Sequence, residues 1–345
     1  MLRKLILLVL VAVAAGVLML AWREYAQWHE APLPLAERVV FEVPQGEPLS
    51  RLAARLEGDG VIEHAWQLRL LARLRDQSAA VRAGEYELAP GTTLAGLLDM
   101  LVAGRVKLHD ITIVEGTTAK QLFEQLSRHP AIRRTLETID HATVAEVLGL
   151  ENGHAEGWFL PETYRFPRGT TDVEFLRRAH EDMKRELEAA WQARADGLPL
   201  KNPYEALILA SIIEKETSLE HERGTIAGVF TRRLQRGMRL QTDPTVIYGL
   251  GDAYTGDIRY RDLRTDTPYN TYTRKGLPPT PIALPGRASL RAAVNPEPGD
   301  ALYFVAISPR GEHKFSATYE EHRAAVRKYQ SMRRPLDPPA QDATE

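Results

Sequence analysis

Phe41–Leu56 reads FEVPQGEPLSRLAARL, Tyr86–Leu101 reads YELAPGTTLAGLLDML, and Ile111–Leu126 reads ITIVEGTTAKQLFEQL. Counted from Gly46, Gly91 and Gly116, apolar residues recur at the same offsets. Before the glycine they alternate: Phe41/Val43, Tyr86/Leu88 and Ile111/Ile113. After it they follow a helical period: Leu49/Leu52/Leu56, Leu94/Leu97/Leu101 and Ala119/Leu122/Leu126. A period of two that becomes a period near 3.6 across a glycine predicts a strand, a turn and a helix. The chain uses this β-turn-α unit three times. Periodicity alone leaves open whether the units only pack or also bind.

His64–Arg75 adds a helical stretch between the first two units, so Phe41–Leu88 is expected to run strand, helix, helix, strand. That order resembles LysM modules, whose βααβ units bind glycan chains; residues 38–108 are read as such a subdomain. Farther on, Thr171-Asp172 is expected to cap a helix reaching about Asp196, and Gly197–Pro203 breaks the pattern. A second long helix is expected from Tyr204 through the Glu-rich segment. Pro and Gly are then dense as far as Gly299. Leu302–Ile307 reads as a buried strand, Thr318–Arg327 as a closing helix, and Pro335–Glu345 as a polar, disordered tail. The fold class is α+β, with residues 109–330 as a mixed α/β domain built on a central long helix.

Upstream of the repeats, Leu5–Trp22 (LILLVLVAVAAGVLMLAW) carries no charge and is flanked by Arg3-Lys4 and Arg23-Glu24. As a helix it spans roughly 27 Å, close to a bilayer's hydrocarbon thickness. Ala12-Val13-Ala14 satisfies a signal-peptidase rule, but cleavage there would leave apolar Val17–Trp22 at the new terminus. A lipoprotein signal would need a cysteine. Residues 5–22 are therefore read as an uncleaved transmembrane anchor. The basic residues 1–4 are expected in the cytoplasm and everything after the anchor outside it.

Composition excludes several function classes. The 345 residues are 44% hydrophobic and 26% charged, and 44 Lys+Arg against 46 Asp+Glu leave a net charge of −2. Nucleic acid as a main partner calls for a basic face that this balance does not supply. With no cysteine, disulfides, thiolate metal sites and a cysteine nucleophile are excluded. The ten histidines form no HExxH motif, and no GxSxG, GxGxxG or phosphate loop is present. No metal or organic cofactor is expected.

The chemistry is sought in Leu207–Glu222 (LILASIIEKETSLEHE). On a helical wheel Glu216 shares a stripe with Leu209, Ile212 and Ile213, whereas Glu214 falls on the opposite side and Lys215 at the edge. A carboxyl in an apolar stripe is costly unless protonated or paired. Desolvation would raise its pKa toward that of a general acid working near neutrality. Pairing with an Arg is the structural alternative. Glu214 and Lys215 are read as a solvated face. Asp243-Pro244 reads as an N-cap with Pro at the first helical position, substrate contact being the alternative. Arg239, Gln241, Thr242, Tyr248 and Tyr269–Tyr272 supply the amide, hydroxyl and aromatic groups of a sugar-binding groove.

Five segments resemble the YceG-like family of endolytic murein transglycosylases: ASIIEKET (Ala210–Thr217), GMRLQTDPTVIYG (Gly237–Gly249), YNTYT (Tyr269–Thr273), GLPP (Gly276–Pro279) and Pro285-Gly286. Gly157-Trp158-Phe159 with Pro161, and Ala195–Pro199, are similar too. The resemblance runs from the anchor to about Tyr329. It implies a single-pass inner-membrane protein whose periplasmic catalytic domain cleaves the β-1,4 bond between N-acetylmuramic acid and N-acetylglucosamine in nascent peptidoglycan, leaving 1,6-anhydro ends and limiting strand length. It assigns catalysis to the second Glu of E-K-E-T, here Glu216. It places Gln241, Thr242, Tyr248, Asn270 and Tyr272 at motif positions expected to bind glycan. Peptidoglycan synthases are the implied protein partners.

Overall fold

The computed structural model describes residues 2–150, 152–308 and 310–330. The expected disordered tail, Pro335–Glu345, lies outside them. The chain divides into two compact units, one holding the residues up to Asp110 with Arg165–Thr170, the other holding Ile111–Tyr164 and the residues from Thr171 on.

The first unit begins with α1 (Leu2–Glu30), a 29-residue helix. Among the described residues it is the one helix long and apolar enough to cross a membrane. From Ile6 to Leu20 its side chains are bare, Leu18 being 70% exposed. Then come β1 (Val39–Val43), α2 (Leu49–Gly58), α3 (Ala65–Leu74), β2 (Gly84–Leu88) and α4 (Leu94–Ala103). The strand-helix-helix-strand order is the expected one. β1 and β2 pair antiparallel, Phe41 opposite Tyr86. Their alternate side chains meet the helices in a core that includes Val43, Leu52, Leu56, Leu68, Tyr86 and Leu97.

β3 (Leu108–Thr112) and β4 (Thr163–Pro167) pair, their residues up to Asp110 and from Arg165 counting with the first unit, and α5 (Ala119–Arg128) and α6 (His141–Leu148) of the second unit lie between them in sequence. α7 (Asp172–Gln192), α8 (Pro203–Glu216), α9 (Glu220–Gln235), α10 (Asp243–Leu250) and α11 (Arg287–Val294) follow. The antiparallel pair β5 (Tyr303–Ala306) and β6 (His313–Ser316) precedes α12 (Tyr319–Gln330). α8 is the core helix, packed against α7, α9, α10 and α11.

All three sequence repeats form the expected strand, turn and helix, and Gly46, Gly91 and Gly116 sit at φ near +80°. A fourth unit emerges on the same offsets. Tyr164 and Phe166 precede Gly169 (φ +87°), and Asp172, Phe175 and Ala179 follow it, all five side chains buried. Thr93, Thr118 and Thr171 cap the helices of units two to four, each accepting a backbone N–H from three residues on.

The structure corrects other expectations. The Glu-bearing helix is not the long one: α8 has 14 residues and α7 has 21. It stops at Glu216 because Thr217 turns to an extended conformation and its hydroxyl accepts the Leu219 N–H, so the Glu-rich segment is split between α8 and α9. The strand expected at Leu302–Ile307 is half-exposed rather than buried, since one partner, β6, covers it.

Candidate active site

α8 starts where Asn202 accepts the Glu205 N–H and Pro203 fixes the first helical φ. From Ala206 to Ile213 every residue is buried, so the helix has no polar face to separate from an apolar one. Ser211 is accommodated inside by donating to the Ile208 carbonyl and accepting from the Ile282 N–H. Glu216 is the last helical residue, partly open to a cavity of roughly 360 Å³. Burial pushes its carboxyl up to about 7, and the nearby Asp243 charge adds to the rise. The carbonyl end of α8 disfavours an anion there as well. Two groups oppose the rise: the Thr242 hydroxyl, which donates to Oε1, and the Arg233 guanidinium.

Thr242 is held by a small buried network. Its N–H donates to Thr271 Oγ1 at 3.1 Å, and Thr245 Oγ1 donates to its carbonyl at 2.8 Å. Gln241 takes a left-handed φ of +52°, a strained choice for a non-glycine, while donating its N–H to the Thr271 carbonyl. That turn puts Thr242 over Glu216 and starts α10. Asp243 is the first helical residue rather than the cap, since Thr242 occupies the cap position. The Asp243 carboxylate instead accepts the Tyr272 hydroxyl at 2.6 Å.

The cavity therefore gathers Glu216, Gln241, Asp243 and Tyr272, with Thr242 bonded to Glu216 from the side. Asn270 and Tyr248 do not line it. Asn270 is buried, donating to the carbonyls of Asp262, Leu263 and Thr265 and accepting the Tyr272 N–H, so it shapes the loop that carries Tyr272. Tyr248 donates at 3.0 Å to Glu156, a fully buried carboxyl that also accepts the Ala119 N–H. Desolvation lifts Glu156 to about 7 against those bonds. Sequence reasoning passed over it, because a lone Glu in an irregular segment leaves no periodic trace.

Two residues that do line the cavity, Arg233 and His322, were also missed. Arg233, buried on α9, donates to the carbonyls of Leu302, Arg239 and Leu240 and lies 5.1 Å from the Tyr303 ring centre. His322 stacks on Tyr303, and burial beside Arg233 keeps its pKa low. Neither belongs to a motif that singles it out. Glu214 is not on a solvated face: its side chain is 5% exposed, pairs with Arg223 at 3.3 Å and accepts the Gly286 N–H at 2.9 Å. Lys215 is exposed, and its Nζ donates to the Gly116 carbonyl.

A half-open carboxyl with a pKa near neutrality, facing aromatic, amide and hydroxyl groups, can donate a proton to a sugar oxygen and take one back. Comparison with known proteins points the same way. The chain is 30% identical over 312 residues to an endolytic murein transglycosylase of Bacillus subtilis, covering 86% of each. It is 26% identical to the Streptococcus pneumoniae protein of that name, spanning 82% of this chain and 57% of that longer one. The crystal structure of a YceG-like protein from Listeria monocytogenes matches 84% of this chain and 99% of its own at 29% identity and a TM-score of 0.50. The YceG-like family profile matches residues 41–328, so the chain belongs to the YceG-like family.

Proposed function

We propose that the chain is an endolytic lytic transglycosylase acting on the β-1,4 bond between N-acetylmuramic acid and N-acetylglucosamine in nascent peptidoglycan, with Glu216 as its acid and base. Murein transglycosylase activity is what its curated relatives are named for. The observation that carries the residue assignment is Glu216 itself, a carboxyl held near pH 7 at the wall of a polar cavity. Protonated Glu216 donates to the glycosidic oxygen as the C1–O bond breaks. The resulting carboxylate takes the proton of the muramyl C6 hydroxyl, whose oxygen closes on C1. The Thr242 hydroxyl and the Arg233 charge favour the carboxylate that this second step needs. Gln241 and Tyr272 are assigned to glycan contact, Thr242 to holding the Glu216 carboxyl, Asn270 to shaping the loop that carries Tyr272, and Tyr248 to supporting α10.

Residues 38–108 are assigned to glycan binding, 109–330 to catalysis and 5–22 to a single-pass inner-membrane anchor that leaves the catalytic domain in the periplasm. Strand termination beside peptidoglycan synthases is the role this arrangement serves. Hydrolysis of the same bond is the second reading, favoured by one observation: Asp243 brings a second carboxylate into the cavity. Mass spectrometry of muropeptides released by wild type and Glu216→Gln tests both. Anhydro-muramyl ends that vanish in Glu216→Gln are expected. Reducing ends would establish hydrolysis instead, and unchanged products from the variant would remove Glu216 from the chemistry.

A further inference from the structure

α3 has two unlike faces. Ala65, Leu68, Leu71 and Ala72 are buried in the core of the first unit. The opposite arc, Trp66, Arg69, Leu70, Arg73 and Leu74, is exposed, with Trp66 at 49%, Leu70 at 39% and Leu74 at 62%. Aromatic, leucine and arginine side chains on one helical face are what an interfacial helix presents to a bilayer, arginine stems lying along apolar surface and their charges meeting phosphates. One edge of this face adjoins α1. The Trp66 ring meets the Trp28 ring of α1 edge-on at 5.8 Å. Tyr25 and Trp28 pack against the unit's own core, and α1 packs on α4. Just past α1, Leu33 is buried and its N–H donates to the Thr92 carbonyl at 2.7 Å. α1 thus enters the unit without a slack linker. The Trp28 Cα lies six residues, or about 9 Å of helix, beyond the last residue of the uncharged span, and its side chain leans back toward the N-terminus, which brings the ring to the outer edge of the headgroup layer. The polar layer on each side of the hydrocarbon is roughly 5–8 Å thick.

We propose that the Trp66–Leu74 face of α3 lies on the lipid surface of the bilayer that holds α1, its arginines engaging anionic headgroups. The inference rests on α1 being a membrane anchor, and its partner is the phospholipid interface itself. Such seating would fix the first unit against the membrane from which nascent strands emerge.

Because the chain has no cysteine, single nitroxide labels can be placed without background. Full-length chains carrying Val13→Cys, Leu70→Cys, Leu74→Cys or Arg128→Cys would be reconstituted into phosphatidylethanolamine–phosphatidylglycerol vesicles. Collision of each label with oxygen and with a water-soluble nickel chelate is then measured. Labels at Leu70 and Leu74 are expected to favour oxygen several-fold more than the exposed Arg128 label. Values equal to that label, with Val13 immersed, would overturn the proposal and leave the anchor standing. A water-exposed Val13 would overturn the anchor and the proposal together. Combining Arg69→Glu with Arg73→Glu is expected to move the Leu74 label toward water; no movement would overturn the role given to the arginines.

Discussion

At the scale of single residues, Glu216 is balanced between groups that push its pKa in opposite directions, and each push can be removed. The Thr242 hydroxyl stabilises the carboxylate, whereas Asp243 penalises it. The proposed first step needs the protonated acid, so kcat/KM should fall as pH rises through about 7. Thr242→Val removes support for the anion and should move that fall upward, by up to about one pH unit. Asp243→Asn removes a like charge and should move it downward. pH–rate profiles of muropeptide release check both, and shifts in the same direction would contradict Glu216 as the titrating group. The sequence singled out Glu216 through a helical wheel whose premise fails, because α8 is buried on every side from Ala206 to Ile213. What sets Glu216 apart is its place at the helix end facing Thr242, a residue 26 positions away, and no local pattern encodes that.

Among the elements, the β-turn-α units show how far local chemistry reaches. A glycine at positive φ turns the chain, and a threonine two residues later caps the helix in three of the four units. Gly91 (φ +87°) has open space where a Cβ would go, so Gly91→Ala should cost only the backbone strain of about 1–2 kcal/mol. Gly157 (φ +83°) is different, because a Cβ would lie 2.5 Å from Pro281 Cγ. Gly157→Ala adds overpacking of about 1–3 kcal/mol to the same strain and should lower the denaturation midpoint distinctly more. Equal losses would show that the Pro281 contact relaxes. Three units were readable because their inward positions are apolar. The fourth was not, since Asp172 stands where the others have Leu or Ala. That buried carboxylate is satisfied by the N–H groups of Thr135, Leu136 and Val173 and by the Thr135 hydroxyl, partners mostly far along the chain.

Over the whole molecule, two separate cores carry the fold, and the apolar stretch of α1 belongs to neither. Deleting residues 1–22 keeps Tyr25 and Trp28, so it should change stability by less than about 0.5 kcal/mol and yield a chain soluble without detergent. Thermal unfolding checks this, and a loss of several degrees would mean that the span supports the first unit. The sequence by itself determined the apolar span, the strand and helix periods, the glycine turns and the threonine caps. These arise from interactions between residues within about a dozen positions of one another, which a linear reading can follow. Only the tertiary structure decided that Glu214 is a buried partner of Arg223 and that Asp243 holds Tyr272 rather than a helix end. It also brought Arg233, Asp243, Tyr272 and His322 into one cavity with Glu216. Desolvation and Coulomb interaction depend on which groups share a space, and these five are scattered over more than a hundred residues of chain.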